Sequence, residues 1–314
     1  MKKYLTGKDN DMSCFNRRYG YLFLFLGFIF FFGTLPNNKT FASYPDMVGY
    51  YERRLQQSGY QTNTTEGIIA AVKSKSSFER HIALELLTIR NPQEAVTILK
   101  QSLDDKAITV RCASAHLLGV LNDKSGLERM QKDFEELVPK EEEPNDPNIL
   151  RDKREMEQWT RKHRYRITTA LEIGKVLAEL GDFRAYDLAA KEGLTSEHEL
   201  GYLRLRAAET LGEMGKKDFS ELKIQGKDPI EILCKMAETE KERAIFTRVR
   251  TAANGIGGKA EVQILEKAVT NPHQAEEDIR IAGGILNRAK WKMQANKRTI
   301  SEPNNSPEPN SSTK

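Results

Sequence analysis

The chain has 314 residues, a formal net charge of +4 and 30% charged residues, which allows one or two ordinary domains or one elongated array. Residues 1–42 contain six Lys or Arg and two acids, so the rest of the chain has 43 residues of each sign. Because nucleic-acid binding depends on neutralising phosphates with excess Lys and Arg, this balance argues against a nucleic-acid partner.

The N-terminal segment predicts export. Residues 21–35 are almost wholly apolar and carry no charge, and Arg17 and Arg18 precede them. This run is shorter than the roughly 20 apolar residues of a membrane-spanning helix, which favours a signal peptide. The basic residues before it are expected to stay inside while the rest of the chain crosses the membrane.

A cleavage site is predicted at the end of this segment. Thr40 and Ala42 have the small side chains that signal peptidase prefers, so cleavage is expected between Ala42 and Ser43. Residues 1–42 are then a signal peptide, with an uncleaved N-terminal anchor as the alternative. Met12 is an alternative start that would leave a shorter leader.

Residues 43–77 are predicted to be a helical lead-in before a more regular array. Apolar residues at helical spacing predict a first helix within 43–61, and Gly59 marks its end. Thr64 or Thr65 is expected to cap the second helix. A third helix is expected from about Phe78, where the array begins.

The dipeptide Asn91-Pro92 predicts a sharp helix start. Asn is a favoured N-cap, Pro fits the first helical position, and Glu94 stands where a capping box places its acid. Asn271-Pro272 repeats the dipeptide near the other end, which predicts a second capped helix start there.

One helical frame recurs three times. An arginine is followed by a small residue at +4, an apolar residue at +7 and glycine at +8, and these spacings place all four on one helix face. The small residues let a neighbouring helix come close, and the apolar one supplies buried area. The members are Arg111, Ala115, Leu118, Gly119, Arg166, Ala170, Ile173, Gly174, Arg204, Ala208, Leu211 and Gly212. Repetition of this kind predicts a helical repeat array.

Two departures interrupt the array. Residues 138–160 are a charged insertion, predicted to form an exposed loop and then a helix that runs into the Arg166 copy. Arg250 begins a weaker copy, in which glycine comes one residue early. Residues 296–314 are rich in Ser, Asn, Pro and Glu and are predicted to be a disordered polar tail.

No sustained alternation predicts a strand, so the fold class is expected to be all-α. The sequences at 110–123 and 203–216 resemble the second helix of HEAT repeats, in particular the short HEAT-like type first noted in phycobilisome lyases. The resemblance covers roughly residues 78–292 in patches, within an array expected to span residues 78–295. It implies antiparallel helix pairs stacked into an armadillo-like α-solenoid, with the second helices lining the concave face where partners commonly dock.

Residues that could support catalysis or metal binding are dispersed. No two of the five histidines are three or four residues apart, and neither CxxC nor HExxH occurs, so no metal site, catalytic residue or cofactor is predicted. Cys14 lies in the segment expected to be removed. Cys112 and Cys234 are expected to be buried free thiols, with a disulfide as the alternative in an exported chain.

Three local clusters of residues resemble binding or catalytic sites. The acids at 141–143 are interpreted as solvated loop charge, because no calcium-loop pattern surrounds them. His198 lies between two glutamates at an expected helix start, where a functional role is the less favoured interpretation. The glycines at 255–258 lack the strand and lysine of a phosphate loop and predict a helix end.

The recurring arginines allow two interpretations. They could form a basic ladder for an acidic partner, or each could pair with an acid of the adjoining repeat and pack its stem against the core. The second is favoured because each arginine keeps a fixed phase with the packing residues.

The sequence therefore predicts a non-enzymatic, exported scaffold that binds a protein or peptide partner in the periplasm or cell envelope. A lyase-like HEAT protein that acts as an enzyme or enzyme accessory is the alternative that the resemblance implies. A membrane-tethered structural component is a third possibility, in which the N-terminal apolar segment provides the membrane contact.

Overall fold

A computed structural model describes residues 45–138, 153–195 and 201–301. The chain divides into two compact units, residues 1–45 and 46–314, and all but one of the described residues belong to the second. The predicted signal peptide, its cleavage site, most of the tail and the acids at 141–143 lie outside the described residues, as does His198. The described part is all-helical, without strands, which confirms the fold class at that level.

Fourteen helices make up the described residues. They are α1 (Pro45–Gln57), α2 (Thr65–Val72), α3 (Ser77–Arg90), α4 (Pro92–Ser102), α5 (Ile108–Val120), α6 (Leu127–Leu137), α7 (Lys153–Leu180), α8 (Tyr186–Leu194), α9 (Gly201–Gly215), α10 (Ser220–Ile224), α11 (Pro229–Thr239), α12 (Arg243–Ile256), α13 (Gly258–Ala268) and α14 (Glu276–Ser301). None of them is long and apolar enough to cross a membrane.

The helices pack as successive pairs. Consecutive helices contact each other in α2–α3, α4–α5, α6–α7, α8–α9, α11–α12 and α13–α14. The second helices of the first five pairs also contact one another in the order α3, α5, α7, α9, α12. Each remaining substantial contact between described helices joins one pair to the next along the chain.

Two of the predicted helix starts are confirmed and a third is wrong. The Thr64 side chain caps α2, and Asn91 caps α4 by accepting from the Glu94 N–H while its amide donates to the Glu94 carboxylate at 2.8 Å. Asn271 does not cap a helix. Its buried amide donates to the Ala237 and Glu240 carbonyls, both at 2.9 Å, and α14 begins later.

Replacing Asn91 by Ala is expected to lower the free energy of unfolding by about 1 kcal/mol, because the first N–H groups of α4 lose their acceptor. Urea unfolding of the variant measures the change. Gln93→Ala at an exposed position of the same helix is the control and should leave the midpoint in place. An unchanged midpoint in the Asn91 variant would contradict the capping role.

The frame residues lie where their spacing predicts. The +4 alanines and the +7 apolar residues of all three copies are fully buried. A Cβ added at Gly119 would lie 2.9 Å from Leu180 of α7, and one added at Gly212 would lie 2.8 Å from the Ala252 Cβ of α12. The glycines therefore permit close approach to the next second helix.

The turns after α5 and α7 repeat one another. Asn122 and Gly181 both have positive φ, 61° and 91°. The following aspartates, Asp123 and Asp182, each accept from the backbone N–H two residues further on. Asn and Gly are the residues that adopt this conformation most readily, so two different sequences form the same helix stop.

The predictions for the insertion and the helix end are confirmed where described. The charged helix of the insertion continues through Arg166 as the single helix α7. The glycine run at 255–258 ends α12, with φ of 75° at Gly257. At the C-terminus α14 extends to Ser301, into the segment predicted to be a disordered tail.

Candidate functional site

Arg80, which precedes the three frame arginines in the chain, links two helix pairs. Arg80 of α3 donates to both carboxylate oxygens of Asp105 at 2.7 Å, and Asp105 lies in the α4–α5 connection of the next pair. Its Nη1 also donates to the Ser74 carbonyl in the connection before α3, at 2.8 Å. One nearly buried guanidinium thus holds both its own pair and the following one.

The same contacts recur further along the chain. Arg111 donates to Asp133 and to the Asp105 carbonyl, at 2.7 and 2.8 Å. Arg204 donates to Glu242 at 2.7 Å and to the Thr195 carbonyl at 3.3 Å. In each case the carboxylate belongs to the next pair and the carbonyl to the arginine's own pair. These guanidinium groups all bind acceptors of the chain itself, while the buried Nε of Arg204 has no hydrogen-bond partner among the described residues.

Two further copies differ. Arg166 donates to the Leu137 and Glu136 carbonyls, at 3.2 and 3.3 Å, and part of the α8–α9 connection of the next pair lies outside the described residues. The buried Nη1 of Arg250 has no hydrogen-bond partner among the described residues. Burial lowers the pKa of Arg250 despite the nearby Asp278 carboxylate, which pairs instead with Arg243 at 2.9 Å.

A row of ionisable side chains lies across the second helices. Its members on one helix are three, four or seven residues apart, which places them on one face. We call this set the charge row: Glu85 of α3, His116 of α5, Glu172, Lys175 and Glu179 of α7, Arg206, Glu209, Glu213 and Lys216 on and directly after α9, and Arg248 of α12. All ten are buried or half-buried.

His116 and Glu179 join α5 to α7 in this row. His116 Nδ1 lies 2.5 Å from a Glu179 carboxylate oxygen. Burial lowers the pKa of His116, but the Glu179 carboxylate outweighs it, and the net effect is a raised pKa. Burial raises the pKa of Glu179, and the imidazole again outweighs it, so that carboxyl is held well below its usual range. Both shifts favour the charged forms of the two groups.

Arg206 is the most deeply buried member, with 2% of its surface exposed. Its guanidinium lies 2.7 Å from Glu209 and 3.2 Å from Glu172, and it donates to the Tyr202 hydroxyl at 2.7 Å. Arg248 of the next pair reaches Glu209 at 3.2 Å. Burial lowers the pKa of Arg206, but the two carboxylates raise it by more than burial lowers it. The net pKa is raised, so the cation is retained.

Two carboxyl groups of the row have raised pKa values, whereas the pKa of Glu179 is lowered. Burial raises the pKa of Glu172, and the neighbouring Glu209 adds to the effect. Burial also raises the pKa of Glu213, with a further contribution from Glu179. The row therefore offers ionised carboxylates, cations and more readily protonated carboxyls side by side, a mixture suited to hydrogen bonding with a polar partner.

Other chemistry-bearing residues do not converge. Among the described residues no group of three or more His, Cys, Asp or Glu could hold a metal ion. Cys112 and Cys234 are free thiols, the first buried and the second half-buried. Burial raises the pKa of the Cys234 thiol to about 11, so it is protonated and unreactive at neutral pH.

Sequence reasoning missed the charge row because histidines were compared only within single helices. The sequence does contain one signal, the position of these residues relative to the arginine of their helix. Glu85, His116 and Glu209 each lie five residues after the arginine of their helix. A charged or imidazole side chain at the same position of three apolar helices indicates a shared polar face.

Replacing His116 by Gln is expected to lower the free energy of unfolding by roughly 0.5–1 kcal/mol in acid, because the His116 side chain is 36% exposed and its ion pair is partly screened. The folded-state pKa of His116 is raised from 6.5, so its stabilisation is fully present below about pH 6.5 and lost as the pH rises through the folded-state pKa.

Urea unfolding of wild type and variant between about pH 5 and about pH 9 tests this dependence. The difference in stability should shrink towards high pH. Glu179, Glu85 and Lys175 face the imidazole, and Lys216 acts on its partner Glu179. A difference that grows with pH would contradict the assignment.

Comparison of the chain with protein-family models and with curated proteins found no match in either case.

Proposed function

We propose that this chain is an exported HEAT-like α-solenoid that works as a scaffold, binding a protein or peptide along the face of its second helices. The observation that carries the proposal is the order of packing. Described helix pairs contact the preceding and following pairs, and the second helices form one uninterrupted row from α3 to α12. Such neighbour-to-neighbour stacking produces the extended surfaces that repeat proteins use for binding.

The arginine contacts support the same arrangement. Arg80, Arg111 and Arg204 each bind a carboxylate of the following pair, so one recurrent interaction connects the pairs at three of the joins. A fixed join sets a fixed relation between successive second helices. The partner-binding face would then be rigid, and a rigid surface loses little entropy on binding.

The charge row supports a polar partner. Replacing buried ion pairs by apolar residues is often neutral or stabilising, so burial of Arg206 and its partners is weak evidence for a purely structural role. A recognition face accounts for the half-buried members of the row, such as His116, Glu179 and Arg248, since paired charges there favour a partner with a matching pattern of donors and acceptors. The row has five acids and, when His116 is protonated, five cations, which favours a mixed-charge peptide or protein surface.

Site-specific photo-crosslinking in an envelope extract tests the binding face. Val120 is exposed and lies one turn after His116 on α5, so a photoreactive residue placed there samples the charge-row face. The matched control replaces Thr97, which is exposed on the first helix α4 of the same pair. A discrete adduct at position 120 and none at position 97 is expected. Equal adducts at both positions, or none at either, would contradict the proposal.

N-terminal sequencing of the chain recovered from cells tests the location. A sequence that begins at Ser43 supports a processed exported protein. An intact apolar segment in the membrane fraction supports the tethered alternative instead, and conversion of a substrate by the purified chain would support the lyase-like alternative.

A further inference from the structure

The last described helix has an unusual charge distribution. Between residues 279 and 301, α14 contains six cationic residues and no acid. They are Arg280, Arg288, Lys290, Lys292, Lys297 and Arg298. The acids of the helix are confined to its first turn, and the chain as a whole is close to balanced, so this basic stretch is local.

The two faces of α14 differ in what they contact. Ala282, Leu286 and Ala289 are buried, and the helix packs against α13. Arg280, Gly284, Arg288 and Trp291 are exposed, and their spacing of +4, +8 and +11 places them together on the side away from that core. No other described helix is in substantial contact with this outer face. Burial raises the pKa of Glu261 on α13, and Arg288 and Lys292 lie on the edge of the face, near enough to α13 to oppose that rise.

Trp291 lies within this outer face with 68% of its surface exposed. Ile281, near the start of the helix and next to Arg280 in the sequence, is 37% exposed. Single exposed apolar residues are common on soluble proteins, but here an indole shares a face with Arg280 and Arg288, on the part of the helix that has no acids. Trp with Lys and Arg on one helix is the composition of segments that lie in a bilayer interface.

We propose that the outer face of α14 docks on an anionic phospholipid bilayer surface. Arg280 and Arg288 bind lipid phosphates through their forked guanidinium groups, and Lys292 adds to the attraction. Trp291 lies at the boundary between headgroups and acyl chains, with its apolar ring buried and its N–H towards water or lipid oxygens. This surface is distinct from the charge row. It extends the proposed scaffold function, because the scaffold would bind a membrane surface as well as a protein or peptide partner.

An acidic polypeptide is the rival occupant. An acidic polypeptide would need only the cations of this face, whereas a bilayer would also contact the exposed indole of Trp291. Gly284 adds no side chain to the same face, so the helix backbone can approach the headgroups closely. The exposed indole within the basic face therefore favours the bilayer.

Fluorescence of Trp291 in the full chain tests the proposal. The sequence has two tryptophans, so Trp159→Phe leaves Trp291 as the single reporter. Vesicles containing anionic phosphatidylglycerol are expected to shift its emission to the blue, and brominated acyl chains are expected to quench it. Purely zwitterionic phosphatidylcholine vesicles should do neither. This local readout is separate from any insertion of the N-terminal apolar segment.

A charge variant sharpens the test. The double substitution R280Q/R288Q is expected to weaken partition into anionic vesicles about fivefold for each cation removed. K73Q/K217Q removes two exposed cations from other parts of the surface and should leave partition unchanged. Absence of shift and quenching, equal effects in both vesicle types, equal weakening by the two double variants, or a blue shift with soluble polyglutamate but not with vesicles would each overturn the proposal.

Discussion

Replacing Arg206 by Met is expected to lower the free energy of unfolding by about 3 kcal/mol. Met preserves most of the packing volume but removes the cation that Glu172 and Glu209 share. Two buried carboxyls are then left without their common partner. The loss stays near the lower end for broken buried pairs because Arg248 still contacts Glu209. Urea unfolding of the purified variant measures it.

The control for Arg206 is an exposed pair. Lys235 and Glu231 lie 2.8 Å apart on α11 with about half of each side chain exposed, and solvent screens such pairs. Lys235→Met should therefore leave the midpoint unchanged within error. A similar loss in both variants, or none in Arg206→Met, would show that the buried part of the charge row is not maintained as paired ions.

Replacing Gly174 by Ala is expected to destabilise the protein by about 1–2 kcal/mol. The added Cβ would lie 2.5 Å from the Ala185 Cβ, and neither group can rotate away. Ala normally stabilises a helix relative to Gly by roughly 0.5–1 kcal/mol, so the steric effect must exceed a favourable propensity. The measured sign thus reports directly on the close approach of α7 to the start of α8.

Gly284 of α14 is the matched control for Gly174. Both are helical, but a Cβ added at Gly284 meets nothing within 4 Å. Gly284→Ala is therefore expected to stabilise the protein by roughly 0.5–1 kcal/mol. Opposite signs for the two substitutions support the close-approach role of the frame glycine. Stabilisation by both substitutions would mean that α7 and the start of α8 pack less closely than the structure shows.

Local sequence chemistry predicts local structure well in this chain. Asn91 followed by Pro92 and Glu94 contains all the groups that a capping box needs, and these groups interact as predicted. Asn271-Pro272 has the same dipeptide without the same outcome. Asn271 is buried against the end of α11, where its amide satisfies the Ala237 and Glu240 carbonyls. Tertiary contacts that the sequence does not display decide between the two roles.

The candidate site could be predicted only in part. The frame residues are spaced by the helix period, so their shared face follows from the sequence. The charge row depends on which helices become neighbours. His116 and Glu179 are 63 residues apart, and Arg206 and Glu172 lie on different pairs. Searching for ligands within one helix cannot find such sets, whereas comparing equal positions of the repeat frame could have found the register that they share.

The contacts of the recurring arginines could likewise be predicted only in part. Their phase with the packing residues predicts that they point towards a neighbouring pair. The acceptor does not follow from the phase, since Arg80 and Arg111 bind an aspartate, Arg204 binds a glutamate, and Arg166 binds backbone carbonyls. The acidic acceptors lie at different places in the following pair, since Asp105 and Glu242 are in connections between helices and Asp133 is within α6.

Hydrogen exchange of Leu265→Ala tests the central claim, that each helix pair is stabilised by its neighbours along the chain. Leu265 is fully buried on α13, and its truncation should cost about 2–5 kcal/mol locally. In a neighbour-coupled array, exchange should accelerate in α11–α14 while α3 and α4 keep their protection. Equal loss of protection from α3 to α14 would instead identify a single cooperative core and contradict the account.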